Sequence, residues 1–176
     1  MEHTKANLRE SIRLRRQVSQ SHFNHSLLSD SPEFKNSEVI ASYRSFGDEP
    51  NTEKLNQLIL ESGKKLLLPV RLPDNSLEFR IWDGNPAKLK RSGKVEEPIG
   101  ERFLGRIDLM IVPSLAIDSK GNRLGQGGGS YDRTLRDFSG VSIGLINEDE
   151  FVRDLPIESH DMPVKMALTP TRLVRI

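Results

Sequence analysis

A chain of 176 residues with 35% hydrophobic and 29% charged residues is long enough to bury one core and too apolar to stay disordered. Its 26 Lys and Arg are interspersed with 25 Asp and Glu, so a net charge of +1 gives no reason to expect nucleic acid or an anionic membrane surface as partner. Cysteine is absent, which excludes disulfides and thiolate metal sites; no apolar run nears the ~20 residues of a membrane span, and the polar opening residues lack a secretory signal's apolar core, so a cytoplasmic protein is expected.

Residues 4–20 read as a helix in which Leu8, Ile12 and Val18 share an apolar side, while Lys5 and Arg9 stand four apart on another. Arg13, Arg15 and Arg16 extend a basic cluster, which by itself is ordinarily a solvated helix face. Asp30-Ser31-Pro32 breaks the chain, and residues 39–43 form a short buried strand. A loop over 46–50 leads to a helix capped by Asn51 or Thr52, carrying Leu55, Leu58 and Ile59 and ended by Gly63. Strands are expected at 65–69, 77–82, 109–112, 141–146 and 165–169, and a helix at 132–138. The segment 83–105, rich in Gly, Pro and Lys, reads as an excursion over the surface. Short apolar strands alternating with helices argue for an α/β domain with a largely parallel sheet, whose ligands bind beyond the carboxyl ends of the strands. The loops after Tyr43, Val112 and Ile146 are the places to look.

The most informative stretch is Arg123-Leu124-Gly125-Gln126-Gly127-Gly128-Gly129-Ser130-Tyr131-Asp132. Four glycines in five positions cost backbone entropy on folding unless that freedom is needed. They let backbone amides converge on an anion, and a helix starting just after would add its own amides. No P-loop Lys-Ser/Thr follows, and the third glycine of the dinucleotide fingerprint is replaced by Ser130. On the glycines alone, a flexible loop tip and a phosphate loop are both open; Arg123 and Asp132 on either side favour phosphate with a metal. Asp132 is either a helix cap or a hard oxygen ligand for Mg2+. Asp161, after His160, is the second acidic candidate.

In order along the chain, Lys5-x-x-Leu8-Arg9, Glu49-x-x-Thr52, Gly93-x-Val95-Glu96-Glu97-Pro98, Val112-Pro113 through Asp118 and Gly121 to the glycine segment, and Leu155-Pro156 with His160-Asp161 resemble the 5-formyltetrahydrofolate cyclo-ligase family. The likeness spans nearly the whole chain, and the glycine element is the specific one. It implies one domain over residues 1–176 with a three-layer fold and a mostly parallel central sheet, like that of NagB, RpiA and the CoA transferases, and a monomer. It implies ATP and Mg2+ as cofactors and 5-formyltetrahydrofolate, with one or more glutamates, as substrate. By the same resemblance Lys5 and Arg9, with Ala6, Asn7 and Leu8, would bind ATP, Arg123 to Tyr131 would wrap the nucleotide, and Lys5, Arg9 and Arg123 would act on the transferring phosphate. Arg44, Glu49, Gln126 and Ser130 would touch the folate, and Asp132 and Asp161 would hold Mg2+. The implied chemistry phosphorylates the formyl oxygen on N5, after which N10 closes the ring and phosphate departs to give 5,10-methenyltetrahydrofolate; positioning and charge neutralisation are what phosphoryl transfer asks for. Gln126 and Ser130 stand where the family often has bulky or aromatic residues, so a stacking contact with the folate ring is lost there.

Two other classes compete. A non-catalytic nucleotide or phosphometabolite binder of the same fold is favoured by Gln126 and Ser130. A sugar-phosphate isomerase or CoA transferase of similar architecture would leave Lys5 and Arg9 without a role.

Overall fold

The computed structural model describes residues 4–19 and 21–176. The first helix, α1 (Lys5–Val18), begins where the Thr4 hydroxyl accepts the Asn7 amide at 3.2 Å; residue 20, expected to close it, lies outside the described residues. Its inward face carries Leu8, Ile12 and Arg16, one turn apart, and not Val18, which is 88% exposed. Six residues beyond Ile12 is roughly 240° around a helix, so Val18 cannot share that face. The short helices α2 (Ser26–Ser29) and α3 (Pro32–Lys35) follow, the latter capped by Ser31 with proline in its first turn.

Strand β1 (Val39–Ala41) leads through a loop to α4 (Glu53–Glu61), then β2 (Lys65–Arg71) and β3 (Leu77–Ile81). Thr52 does not cap α4 with its side chain; its hydroxyl donates to the Tyr43 carbonyl at 2.7 Å and accepts the Ser45 amide at 3.0 Å, which folds the loop after β1 back on itself. The expected excursion holds a hairpin, β4 (Leu89–Ser92) and β5 (Val95–Pro98), with the turn at Gly93 (φ +61°). After β6 (Leu109–Pro113) come β7 (Ala116–Asp118), β8 (Arg123–Leu124), α5 (Ser130–Arg136), β9 (Val141–Leu145), β10 (Phe151–Val152), β11 (Met166–Leu168) and β12 (Leu173–Arg175).

Seven strands form the central sheet in the order β12-β11-β9-β6-β1-β2-β3. The inner five run parallel, and the outer two are antiparallel. Neighbouring residues of the inner strands point to opposite faces. Ile40, Leu66, Leu68, Leu109 and Ile111 pack with Leu28, Phe34, Leu55 and Ile59 of α2, α3 and α4, whereas Ala41, Leu67, Met110 and Val112 pack with Leu135 of α5. Both faces are therefore covered, as parallel strands require, and the domain has three layers.

The chain leaves β1 for β2 on one side and later returns to place β6 on the other. That reversal opens a crevice beyond the carboxyl ends of β1 and β6, where open α/β sheets bind ligands.

Helix α1 is fastened near this crevice by a buried ion pair. Arg16 Nε and Nη2 donate to Glu150 at 2.7 and 2.8 Å, and Nη2 also reaches the Ser114 carbonyl at 2.7 Å; the two side chains are 1% and 2% exposed. Glu150 further accepts the Asn147 amide at 2.7 Å. Removing one partner of such a pair leaves an uncompensated buried charge. Glu150→Gln is therefore expected to lower stability by about 3–5 kcal/mol in urea unfolding, while Arg16→Met with Glu150→Leu recovers most of it. An unchanged midpoint for Glu150→Gln would contradict the pairing.

Candidate active site

The residues singled out above converge on one cleft of about 750 Å³ at the carboxyl ends of β1, β2 and β6. Its walls include Lys5, Ala6 and Arg9 of α1, Arg44 and Glu49 of the loop after β1, residues 123–132, and Asp161. Asn7 and Leu8 do not line it: Leu8 turns inward to pack with Ile12, Leu115 and Leu124. Sequence reasoning missed Tyr43, Phe46, Arg71 and Glu158, and gave no site role to Glu97 and the hairpin tip of the 93–98 element; all of these also face the cleft.

The glycine segment is the cleft's floor, and its shape follows from one approach too close for a side chain and two backbone conformations that favour glycine. A Cβ at Gly125 would lie 2.7 Å from Arg123 Nη1. At Gly127 and Gly129, φ is +110° and +71°, a region glycine enters freely. Among the described residues, none accepts a hydrogen bond from the amides of Gly127, Gly128 or Gly129. Around those amides stand three cations. Arg9 donates through Nε to the Gly125 carbonyl at 2.8 Å and lies against Gly127, Arg71 reaches the edge of Gly128, and Lys5 lines the same wall. Arg13 adds a 2.8 Å bond to the Gln126 side chain. Helix α1 is thus docked across the loop. Since α5 has only seven residues, the loop amides and these cations supply most of the positive field, and the helix dipole less.

Arg123 sits beneath the loop, its side chain 4% exposed, with Nη1 on the Pro113 carbonyl at 3.0 Å and Nη2 on Asp132 at 3.2 Å. Burial lowers its pKa against the opposing pull of Asp132. Among the described residues its Nε has no partner, and neither do the buried hydroxyls of Ser130, Tyr131 and Tyr43, which line the same cleft. Buried polar atoms are ordinarily satisfied; these four belong to residues that line one cavity.

Asp132 is not a helix cap. Its Oδ1 accepts from Arg123 and from the Met162 amide at 3.0 Å. Asp161 accepts from Lys5 Nζ at 2.5 Å and from the Glu158 amide at 2.7 Å; burial works to raise its pKa, but Lys5 and that amide outweigh it and the value is lowered. Glu158, His160 and Asp161 bring potential ligand atoms within 4.8 Å of one another, and Asp132 is not part of that group. The segment is held by Asp118, which accepts from the amides of Lys120, Asn122 and Leu155, and by Gly121, where a Cβ would meet the Val164 carbonyl at 2.4 Å. Those contacts account for the Asp118 and Gly121 positions of the motif.

Residues 2–170 match the 5-formyltetrahydrofolate cyclo-ligase family. The chain belongs to that family. A cyclo-ligase of Haemophilus influenzae is 35% identical over 158 residues, covering 84% of this chain and 83% of its own length. That of Escherichia coli is 31% identical over 144 residues, covering 77% and 79%. The NMR structure of an Aquifex aeolicus 5,10-methenyltetrahydrofolate synthetase superposes with a TM-score of 0.83 at 29% identity, covering 97% of this chain and 92% of the other. A Mycoplasma pneumoniae synthetase, 18% identical with a TM-score of 0.73 over 93% and 97% of the two chains, shares the fold. The protein is a ligase for the ATP-dependent conversion of 5-formyltetrahydrofolate to 5,10-methenyltetrahydrofolate. No helix among the described residues is long and apolar enough to cross a membrane.

The Glu49 carboxyl in this cleft has its proton affinity raised, to about 7, because burial outweighs its bond from the Phe46 amide and the pull of Arg16. The folded chain thus holds this proton more tightly than the unfolded chain does. The proton favours folding at acid pH, and the advantage fades as pH rises from the ordinary 4.5 to about 7. Gln at position 49 lacks that loss. In thermal melts the Tm of Glu49→Gln should climb relative to the parent by roughly 3–6 °C between pH 4.5 and pH 8, equivalent to about 1–2 kcal/mol in a domain of this size. A pH-independent gap would contradict the burial of this carboxyl.

Proposed function

We propose that the glycine loop holds the ATP triphosphate and that the loop after β1 holds the folate, so that the formyl oxygen meets the γ-phosphate between them. The observation that carries this reading is the set of unpartnered amides at Gly127, Gly128 and Gly129 ringed by Lys5, Arg9 and Arg71. Lys5 and Arg9 neutralise phosphate oxygens, and Arg9 also fixes the loop through the Gly125 carbonyl. Arg123 supports the loop from below and orients Asp132. Positioned donors of this kind act where charge develops, at no reorganisation cost when the reaction occurs.

On the other wall Glu49, with Arg44 beside it, offers a carboxyl to the donor groups of the bicyclic head. Gln126 and Ser130 bound the same space, and serine at 130 presents no ring to stack there. With both substrates held, the formyl oxygen takes the γ-phosphoryl group and ADP leaves; N10 then attacks the activated carbon, and phosphate departs as the ring closes. The chain's part is alignment and water exclusion. No side chain is needed as a covalent nucleophile.

The carboxylates of Asp161, Glu158 and Asp132 are hard oxygen donors at the phosphate end of the cleft, a set suited to Mg2+, which binds through one or two carboxylates plus phosphate oxygens. Asp161 would be the principal ligand, with Asp132 held by Arg123 and Met162 on the facing wall. Bound there, Mg2+ would neutralise charge on the β- and γ-phosphates.

The test is near-ultraviolet absorbance of the methenyl product, which should require protein, ATP, Mg2+ and 5-formyltetrahydrofolate together. Lys5→Ala and Arg9→Ala should each lower kcat/KM for ATP by about 10²-fold with unchanged circular dichroism. Parent-like ATP kinetics in both variants would contradict the phosphate assignment.

A further inference from the structure

Two large substrates must meet in this site, and a pocket for one such ligand takes roughly 300–1,000 Å³. The cleft, at about 750 Å³, lies near the lower end of what two such ligands require. It adjoins a second groove of about 1170 Å³, and the two share Phe46, Glu49 and Gln126 as a common wall. This groove runs away from the phosphate end, between the carboxyl-terminal half of α1, residues 21–25, the loop leading into α4, and the tip of the β4–β5 hairpin.

Its lining joins the shared wall to residues that the cleft does not reach. Glu49 stands at the junction. Phe46 stands there too, 39% exposed. Beyond it, Lys54 comes from the first turn of α4 and Lys94 from the hairpin tip, on separate elements. Neither lysine has a carboxylate partner within 4.0 Å among the described residues. Lys54 lies close enough to His25 to help burial hold that imidazole's pKa below its ordinary value. Asp48, Glu53, Arg13 and Arg16 also line the groove, but Arg13 is bonded to Gln126 and Arg16 to Glu150, which leaves Lys54 and Lys94 as its lysines without a carboxylate partner among the described residues.

A folate continues from its bicyclic head through an aryl amide to an α- and a γ-carboxylate. Glu49 and Phe46, on the wall shared with the cleft, and the two lysines, which line the groove alone, offer partners for the head, the ring and the anions, whereas a nucleoside carries no anion at its far end. We infer that the second groove seats the aminobenzoyl-glutamate end of the substrate, with Phe46 against the aryl ring and Lys54 and Lys94 on the tail carboxylates. The inference rests on Glu49 as the contact for the head.

The experiment crosses a substrate truncation with a double substitution. Parent and Lys54→Ala/Lys94→Ala enzymes are assayed with 5-formyltetrahydrofolate and with 5-formyltetrahydropteroate, which lacks the glutamate, with ATP varied separately. The double variant should raise KM for the full substrate about five- to tenfold, an effect that shrinks as salt is added, with kcat and KM for ATP unchanged. With the truncated substrate, parent and variant should coincide. Equal losses on both substrates, a rise in KM for ATP, or no change on the full substrate would each overturn the assignment. A parent inactive on both substrates would instead overturn the reaction itself, and the inference with it. Both lysines are exposed and unpaired, so the variants are expected to fold.

Discussion

The site depends on α1 lying across the glycine loop. Arg9 on the Gly125 carbonyl and Arg13 on Gln126 hold the helix to the loop, and Arg16 anchors the same helix to Glu150 and to the end of β6. These three arginines bind segments more than ninety residues away in sequence. They fix the position of Lys5, which meets Asp161 on the far wall. Without that docking, the loop amides would face solvent and the first-turn lysine would have no fixed place. Backbone freedom alone makes a loop mobile; the cations make it a site.

A second layer of constraint lies underneath. Arg123 carries a buried charge whose burial is tolerable because Asp132 and the Pro113 carbonyl meet it. The room for its guanidinium is the missing Cβ of Gly125. One residue type therefore serves two ends in this segment: Gly125 clears space for a side chain, while Gly127 and Gly129 supply backbone conformations that leave their amides free. Glu49 contributes a different tension. Its carboxyl is half-withdrawn from water and titrates near neutrality, which leaves a hydrogen-bonding acid on the wall we assign to the folate.

Much of this was legible before any coordinates. Strands β1, β2, β6 and β9 announce themselves as apolar runs because both of their faces are buried. The glycine segment and its flanking acids drew attention because so many glycines in a row need a reason. Three kinds of feature were not legible. Strands β7, β8 and β10 have two or three residues, too few to show any period, and the β4–β5 hairpin is largely exposed, so it has no apolar alternation to read. Arg16 looks like one more charge on a basic helix until Glu150, distant in sequence, is seen beside it. Val18 was assigned inward from apolarity alone, although its angular position forbids it. Arg71 and Glu158 belong to no recognisable pattern; topology brings them to the cleft.

The central claim is that the amides of Gly127 to Gly129, with Lys5 and Arg9, form the seat of the triphosphate. The most direct test is a structure of the protein with Mg2+ and a non-hydrolysable ATP analogue. The account predicts γ- and β-phosphate oxygens within hydrogen-bonding distance of those amides and of both side chains, with Asp161 facing the metal. A triphosphate seated elsewhere, in the groove beside Lys54 and Lys94 for instance, would contradict it.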